Sequence, residues 1–448
     1  MGIFKAYDIR GIYGQDLTDD MFRKIARAYA KFTGVRKVVV ARDCRTHSEP
    51  LFAAFAKGLN DVGVDVIDIG RASTPMSYFA NASLKADGSV MITASHNTKE
   101  WNGCKLCRAN AVPISGATGI KDIERMVETG DLGDDAAVKG TVTQVDVSAQ
   151  YAAHVREFAH LARPVHVAMD FANGMGIAES AAFAGSDLTY DSLYGEYDGD
   201  FPNHDANPLH RETLRDLQAL MKANPGKYAF GVAYDGDADR CVFVSDTGEY
   251  LPGDVGLALL SILEMRKSSG RKQLVSTVAL SKMVEDAVAA EGGETIRTAV
   301  GSPIVARKMM ETGAPIGGED NGGIIFADHQ FCRDGAMAAA RMMEFIAKNG
   351  SIQAQVDKLP KYHTIKEAAS CPDNMKQNVI EVIAKNHSDD RLDTTDGLKI
   401  SYDDGWVLLR PSGTEPKFRI YSESKDPQVA LYRAKSFYKE VTDILSPL

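Results

Sequence analysis

Short β-forming runs alternate with helical runs through most of the 448-residue chain, and this alternation restricts the possible folds more than any other feature. Residues 18–32 place apolar side chains at helical spacing, whereas residues 37–41 and 89–93 read as short buried strands. Three such cycles of about 100 residues follow one another, a period too long for a solenoid repeat and typical of tandem domains. The alternation therefore predicts α/β domains whose mainly parallel sheets are covered by helices.

The pattern also predicts where the domains divide. Residues 128–139 are rich in Gly and Asp and have no sustained apolar period, so they indicate a connection. Beyond residue 362 the helices become polar, and residues 398–402 and 406–410 predict a β-hairpin. Clefts between domains favour small ligands, so we expect a central active-site cleft. We predict three tandem α/β mixed-sheet domains followed by a C-terminal α+β domain, with boundaries 1–147, 148–250, 251–362 and 363–448.

The charge balance excludes several classes of partner. Lys and Arg total 51 and Asp and Glu total 61, a formal charge of −10, which argues against a broad nucleic-acid or anionic-membrane surface. No stretch approaches the roughly 20 apolar residues of a membrane span, and the first residues lack the apolar run of a signal peptide. We expect a cytoplasmic protein with neither nucleic-acid nor membrane partners.

The cysteines indicate scattered thiols. Six of them over this length do not resemble a disulfide framework. Cys104 and Cys107 form a CxxC pair, but no second pair accompanies it, so zinc or redox chemistry is disfavoured. Residues 102–107 are interpreted instead as a turn that runs into a strand.

The first segment whose residues could carry out catalysis is TASHN at residues 93–97. It directly follows a predicted strand, which places Ser95 at a carboxyl end, where α/β proteins bind ligands. Beside His96, Ser95 could be an activated nucleophile. A turn or helix cap built from the same residue types is the alternative.

The second segment is DGDADR at residues 235–240. Asp235, Asp237 and Asp239 alternate around a Gly turn and could converge on one hard cation. A calcium loop of the EF-hand type is disfavoured, because Arg240 stands where that loop has Gly and Asp246 where it has Glu. Two other interpretations of this segment remain: it could supply an aspartyl nucleophile, as in some phosphatases, or it could be a solvated acidic turn.

Two further segments could bind a substrate. GGEDNGG at residues 317–323 lacks the Lys and Ser or Thr of a P-loop, but Glu319 and Asn321 suit sugar hydroxyls, unless the segment is only a turn. RPSGTEPKFR at residues 410–419 concentrates the donors that a phosphate dianion requires; these are Arg410, Ser412, the backbone at Gly413, Thr414 and Arg419.

A possible dinucleotide fingerprint lies at residues 173–179, which read NGMGIAE after a predicted strand. Glu179 stands where the fingerprint needs its last small residue, so NAD binding is only weakly indicated.

Together, and in this order, the four segments resemble the motifs of the α-D-phosphohexomutase family, within it the phosphomannomutase/phosphoglucomutase group. The start, KAYDIRG at residues 5–11 with Tyr7, is also similar to that group, whereas phosphoglucosamine mutases read closer to GTDGIRG. The resemblance implies a serine loop at 93–97, a magnesium loop at 235–240, a sugar loop at 317–323 and a phosphate clamp at 410–419.

The resemblance also implies a role for each residue. Ser95 would carry a phosphoryl group, and Mg²⁺ would bind a phosphoserine oxygen and the three aspartates. Lys105, in NGCK, would be the general acid/base, and a nearby cationic field could lower its pKa toward the useful range. The other implied catalytic residues are Arg10, His96 and Arg240.

The implied reaction interconverts hexose 1-phosphate and hexose 6-phosphate through a hexose 1,6-bisphosphate, which is both intermediate and activator. Sugar phosphates are the expected partners of a monomer or homodimer.

Some residues depart from the group's pattern and leave the sugar open. Asn321 stands where Ser is usual, Gly323 stands where many bacterial dual-specificity members have His, and residues 298–302 lack the Lys and His of a KTGH segment. Mannose, glucose and, within the family, glucosamine phosphates therefore stay possible. Outside the family, the alternatives are a magnesium-dependent sugar phosphatase with Asp235 as nucleophile and a non-catalytic sugar-phosphate binding protein.

Overall fold

The structure, a computed structural model, describes residues 2–412 and 416–446. Gly413 and Thr414, two candidates for phosphate binding, lie outside the described residues. The chain forms two compact units, the first made of Met1–Leu260 and Asn321–Val356, and the second of Ser261–Asp320 and Asp357–Leu448.

In chain order, the elements of the first domain are β1 (Ile9–Ile12), α1 (Asp19–Thr33), β2 (Lys37–Arg42), α2 (Ser48–Asp61), β3 (Asp65–Arg71), α3 (Thr74–Ser83), β4 (Gly88–Ile92), β5 (Trp101–Arg108), α4 (Lys121–Thr129) and β6 (Val142–Gln144). They build a mixed sheet in the order β1-β5-β4-β2-β3-β6. Strands β2, β3, β4 and β6 pair in parallel, and β5 is antiparallel to β4 and β1.

Helix α1 shows why a local pattern was sufficient for its prediction. Thr18 caps its first turn by accepting the N–H of Met21 at 3.2 Å, and Gly34 ends it in the left-handed region with φ 71°. Phe22 and Ile25 point into the core of the first domain. The bounds lie within one residue of the prediction because both caps and the apolar face belong to the helix and the residues next to it.

The elements of the second domain are α5 (Ser148–Glu157), β7 (Val165–Asp170), α6 (Gly176–Glu179), β8 (Leu188–Leu193), α7 (Arg215–Ala223), β9 (Gly231–Tyr234), β10 (Cys241–Val244) and β11 (Tyr250–Leu251). The sheet order is β11-β10-β9-β7-β8, with β7, β8 and β9 parallel and β10 and β11 antiparallel. Helix α6 spans only four residues, which is too short for the pyrophosphate-binding helix of a dinucleotide fold.

The elements of the third domain are α8 (Gly253–Lys267), β12 (Gln273–Thr277), α9 (Lys282–Ala290), β13 (Glu294–Thr298), α10 (Ser302–Thr312), β14 (Ile316–Gly318), β15 (Ile324–Phe326), β16 (Gln330–Arg333), α11 (Gly335–Asn349) and α12 (Ile352–Val356). In the second unit, β12 pairs in parallel with β13 and β14. In the first unit, β15 and β16 form an antiparallel pair.

The elements of the C-terminal domain are β17 (His363–Ser370), α13 (Lys376–Asn386), β18 (Arg391–Asp393), β19 (Leu398–Tyr402), β20 (Gly405–Pro411), β21 (Lys417–Ser424) and α14 (Pro427–Leu445). The strands form an antiparallel sheet in the order β17-β21-β20-β19-β18. Three α/β domains with mixed sheets followed by an α+β domain are thus confirmed. Among the helices of the described residues, none has the length and apolar character needed to span a membrane.

One local prediction is wrong. Residues 102–103 are not a turn, because β5 already begins at Trp101. Glycine is required at position 103 because a Cβ there would lie 1.9 Å from the carbonyl oxygen of Ile9 on β1.

The cysteines do not form disulfides with one another. All six lie in the described residues, and each is buried as a free thiol. Cys104 packs into the core of the first domain, whereas Cys107 belongs to a separate cluster with Tyr78 and Cys332. The two thiols of the CxxC pair diverge because residues three apart on a strand point to opposite faces.

Candidate active site

The serine loop begins where β4 ends, at Ile92. Ser95 is buried, and its φ of 53° is unusual for a residue with a side chain. Its Oγ donates to Asp235 Oδ2 at 2.9 Å and lies 3.2 Å from Nδ1 of His96. The sheet of the first domain therefore positions the Ser95 hydroxyl next to the Asp235 carboxylate of the second domain.

The acidic segment at residues 235–240 connects β9 to β10 as a hairpin. One oxygen atom from each of Asp235, Asp237 and Asp239 lies within 4.8 Å of the others, and all three residues are buried. Oδ1 of Asp237 and Oδ1 of Asp239 are buried without a hydrogen-bond partner in the described part of the chain. Carboxylate oxygens left unbonded inside a protein are costly, and a hard divalent cation satisfies them. The donor set therefore fits Mg²⁺.

Lys105 extends from β5 to the same carboxylates. Its Nζ donates to Asp237 Oδ2 at 2.5 Å and to Asp239 Oδ2 at 2.6 Å. Burial by itself lowers the pKa of Lys105, but the charges of Asp237 and Asp239 outweigh it and raise the pKa above its ordinary value. The expected cationic depression of this pKa is therefore wrong for the described geometry, and Lys105 is held in its acid form.

The aspartates differ in their affinity for a proton. Burial, opposed by Arg240 and reinforced by the other two carboxylates, raises the pKa of Asp235 to about 6. Burial also disfavours the charge of Asp237, but the ammonium of Lys105 and the hydrogen bonds from Lys105 and Thr74 leave its pKa below the ordinary value. Asp237 is thus ionised at neutral pH and available as a ligand.

Arg240 links the serine to the acidic loop. Its Nη2 donates to Asp235 Oδ2 at 2.7 Å and to Ser95 Oγ at 3.3 Å, and it also contacts Nδ1 of His96. Burial, followed by the charges of Arg240 and Arg10, lowers the pKa of His96 to about 2. A neutral imidazole of such low basicity is a weak general base, so this environment favours His96 as an acceptor that orients Arg240.

Arg10 reaches the serine loop from β1, where it pairs with Gly103 on β5. Its Nη1 donates to the carbonyl of Ala94 at 3.1 Å and to Asn97 Oδ1 at 2.9 Å. Tyr7, earlier in the same segment, is 39% exposed. Strand β1 therefore brings Arg10 to the serine loop.

Two residues of this site were not predicted from the sequence. Thr74, at the start of α3, donates its hydroxyl to Asp237 Oδ2 at 2.5 Å. Arg333, at the end of β16, donates to Asp239 Oδ2 at 2.6 Å. Each is a single residue from a distant part of the chain, so no contiguous motif signals it.

The two predicted sugar-binding side chains are found in different units. In the second unit, buried Glu319 accepts the N–H of Gly301 at 3.1 Å through Oε1. This bond joins the sugar loop to the segment at residues 298–302 that departs from the KTGH pattern. In the first unit, Asn321 accepts the N–H of Gly323 at 3.0 Å.

The described residues of the phosphate clamp lie in the second unit, with Arg410 near the end of β20, Ser412 just after that strand and Arg419 near the start of β21. Arg410 and Arg419 face each other in register on these strands, and such cross-strand neighbours lie about 5 Å apart at Cβ. Arg410 Nε donates to Asp396 Oδ2 at 2.9 Å, and the same oxygen accepts the N–H of Val300 at 2.9 Å. Two arginine side chains that start from neighbouring positions can both donate hydrogen bonds to one phosphate. Ser412 is buried beside them.

Comparison with known proteins matches this chain along nearly its whole length. Family models described as phosphoglucomutase/phosphomannomutase alpha/beta/alpha domains I, II and III match residues 1–134, 149–248 and 252–362. The model of the family's C-terminal domain matches residues 368–439. The chain belongs to the phosphoglucomutase/phosphomannomutase family. The matched ranges lie inside the four predicted domains, whose exact boundaries stay predictions.

Members of the phosphoglucomutase/phosphomannomutase family from several organisms are similar over the full chain. A phosphoglucomutase/phosphomannomutase of Thermococcus kodakarensis is 36% identical over 446 residues, covering 96% of each chain. A probable phosphoglucosamine mutase of Methanopyrus kandleri is 34% identical over 453 residues, covering 99% of this chain and 97% of its own. Relatives named for phosphoglucosamine thus stand at an identity similar to those named for glucose and mannose.

Solved structures show the same fold. A phosphoglucomutase/phosphomannomutase family protein from Burkholderia thailandensis has a TM-score of 0.91 and 30% identity, covering 99% of this chain and 97% of its own. An N-acetylphosphoglucosamine mutase of Aspergillus fumigatus, solved in complex with GlcNAc-6P and magnesium, has a TM-score of 0.58 and 15% identity, covering 92% and 83%. The latter similarity concerns the fold alone.

Proposed function

We propose that this chain reversibly converts hexose 1-phosphate, of mannose and/or glucose, into hexose 6-phosphate through a phosphorylated Ser95. The observation that carries the proposal is the hydrogen bond of 2.9 Å from Ser95 Oγ to Asp235, inside a buried group of carboxylates that retains unbonded oxygens. A hydroxyl beside a candidate cation site suits phosphoryl transfer, in which positioning and charge neutralisation supply most of the catalysis.

The proposed cycle consists of two phosphoryl transfers. Phosphorylated Ser95 first gives its phosphoryl group to the free hydroxyl of the sugar phosphate, and the sugar becomes a hexose 1,6-bisphosphate. After the bisphosphate turns over, Ser95 Oγ takes the other phosphoryl group. Lys105, held as an ammonium by Asp237 and Asp239, would give a proton to the departing oxygen in each transfer, which is Ser95 Oγ in the first and the sugar oxygen in the second. It would regain a proton each time from the accepting hydroxyl, that of the sugar in the first transfer and that of Ser95 in the second.

Asp235, Asp237 and Asp239 would hold Mg²⁺ together with an oxygen of the phosphorylated serine. When bound, the ion supplies neutralisation of the charge on the transferring group. Arg240 lies within hydrogen-bond distance of Ser95 Oγ and would steady the phosphoryl group with Arg10. A hexose 1,6-bisphosphate would be both the intermediate and the activator that charges Ser95.

The remaining predicted residues would bind the rest of the substrate. Glu319 and Asn321 would contact sugar hydroxyls. Either phosphate would be held in turn by the clamp of Arg410, Ser412, Gly413, Thr414 and Arg419. A cytoplasmic location and a monomeric or homodimeric state stay predictions.

Replacing Arg410 with alanine should raise the KM for the sugar phosphate roughly 10- to 100-fold, because the variant loses one charge-assisted hydrogen bond to the phosphate. Steady-state kinetics measure this effect. Arg433→Ala is the matched control, since Arg433 makes a comparable pair with Asp404 at 2.9 Å in the same domain. An equal rise of KM in both variants would contradict the assignment of Arg410.

The proposed reaction is tested by ³¹P NMR with Mg²⁺ and a trace of hexose 1,6-bisphosphate. Glucose 1-phosphate, mannose 1-phosphate and glucosamine 1-phosphate are supplied in separate samples, and growth of a 6-phosphate signal is expected with at least one of the first two. A signal with glucosamine 1-phosphate alone would favour the phosphoglucosamine mutase activity after which the Methanopyrus relative is named. Free phosphate would indicate the phosphatase, and no change with any sugar would overturn the proposal.

A further inference from the structure

Arg45 lies directly beneath the serine loop and takes no part in the reaction proposed above. It follows β2 by three residues, and its side chain is 0% exposed. Its guanidinium donates to the backbone carbonyls of Ser95 at 2.9 Å, Asn97 at 2.7 Å, Thr98 at 2.7 Å and Trp101 at 3.1 Å. One side chain thus binds most of the turn that carries the candidate nucleophile.

We propose that Arg45 is a positioning residue for phosphoryl transfer, because it holds the backbone of the serine loop in the conformation that presents Ser95 Oγ to Asp235. This inference rests on the proposed function. Arg45 acts through the loop, since its hydrogen bond to Ser95 goes to the carbonyl oxygen.

The conformation of the loop explains why it needs such support. Ser95 occupies the left-handed region with φ 53°, which residues with side chains rarely adopt. The segment between β4 and β5 has no ladder or helix to bind its carbonyl groups, and buried carbonyls need donors. Arg45 supplies several in the fixed planar arrangement of a guanidinium, which a lysine ammonium cannot reproduce.

Arg45 is itself held in place, so it can serve as a rigid support. Its Nε donates to Asp43 Oδ2 at 3.0 Å, and Asp43 Oδ1 accepts the hydroxyl of Ser48 at 2.5 Å. The guanidinium carbon also lies 5.0 Å from the centre of the Phe201 ring. Pairing with Asp43 compensates the buried charge, which would otherwise be costly.

The bond to Ser95 also orients the peptide group that follows it. In a trans peptide the N–H points opposite to the C=O, and the chain contains no cis peptide bonds in its described residues. Because the carbonyl of Ser95 accepts a hydrogen bond from Arg45, the N–H of His96 points away from Arg45. Loss of Arg45 would free this peptide to rotate and move Ser95 Oγ from Asp235.

Arg45→Lys tests the inference, and Arg42→Lys is its matched control. Arg42 is the last residue of β2, and its side chain, 11% exposed, pairs with Asp68 at 2.6 Å and Glu49 at 2.5 Å. We expect Arg45→Lys to lower kcat roughly 10- to 100-fold, the effect of misplacing a reacting group by about 1 Å, with KM for the sugar phosphate unchanged. Arg42→Lys should leave kcat near the wild-type value.

Hydrogen exchange measured by mass spectrometry gives a readout that does not depend on turnover. Amides of residues 94–102 should exchange faster in Arg45→Lys than in the wild type and in Arg42→Lys. If Arg45→Lys prevents folding, Asp43→Asn replaces it, because that variant keeps the arginine but weakens its anchor; a smaller fall in kcat and faster exchange in the same segment are expected.

The outcomes separate this inference from the proposed function. Unchanged exchange at residues 94–102, or a fall in kcat equal to that of Arg42→Lys, would overturn the role of Arg45. A wild-type protein without mutase activity would overturn the proposed reaction and, with it, a role of Arg45 in that reaction, whereas the exchange data would still show whether Arg45 orders the loop.

Discussion

Replacing Ser95 with alanine is expected to lower mutase turnover by at least about 10³-fold, as removal of a covalent nucleophile does in other enzymes. The variant should keep its fold, because Oγ is the only atom lost and its hydrogen bond goes to the acidic loop. Turnover of the 1-phosphate is followed by ³¹P NMR, and intact-protein mass spectrometry after incubation with hexose 1,6-bisphosphate should detect one added phosphoryl group in the wild type and none in the variant.

Ser89→Ala is the control for this experiment. Ser89 is a buried serine on the strand that precedes the loop, and its hydroxyl accepts from Asn81 at 2.9 Å. Its removal costs about 1 kcal/mol of folding stability but should leave turnover near the wild-type value. Retained turnover in Ser95→Ala would exclude the phosphoserine and direct attention to Asp235 as the nucleophile.

Replacing Asp237 with asparagine is expected to weaken Mg²⁺ binding by more than about 10- to 100-fold, the range observed when even a group outside the direct ligands is removed. Asp237 has a buried Oδ1 without a hydrogen-bond partner in the described residues. Its pKa lies below the ordinary value, so its carboxylate is charged at neutral pH. Isothermal titration calorimetry with MgCl₂ measures the affinity, and the Mg²⁺ dependence of turnover measures its consequence.

Asp68→Asn is the matched control for the metal prediction. Asp68 is likewise a buried carboxylate, paired with Arg42 at 2.6 Å in the first domain, and its replacement should reduce stability without changing Mg²⁺ affinity. Equal Mg²⁺ affinity in the wild type and in Asp237→Asn would contradict the assignment of the acidic loop as the metal site.

The secondary structure was predictable where its causes are local. Helix α1 has its cap at Thr18, its stop at Gly34 and its apolar face within its own residues, so pattern reasoning placed it to within one residue. The turn predicted at Gly103 was wrong, because the glycine is required there by a close contact with Ile9, which is far away in the sequence.

The candidate site divides in the same way. Contiguous segments of the sequence were sufficient to predict a chemical role for Ser95, the three aspartates and Arg240. Thr74 and Arg333 are isolated residues that become meaningful only through contacts with Asp237 and Asp239 across long stretches of chain. Arg45 is the same kind of case, since its acceptors are backbone carbonyls that no sequence pattern displays.

The sequence by itself determined the order of the domains, their α/β and α+β classes and the segments that carry the chemistry, because periodicity and motif residues are properties of neighbours along the chain. Only the tertiary structure decided which atoms meet and how they ionise. Lys105 shows the reason: burial lowers its pKa, but the charges of Asp237 and Asp239 outweigh burial and raise the pKa above its ordinary value. Such a balance depends on distances between residues that are remote in sequence.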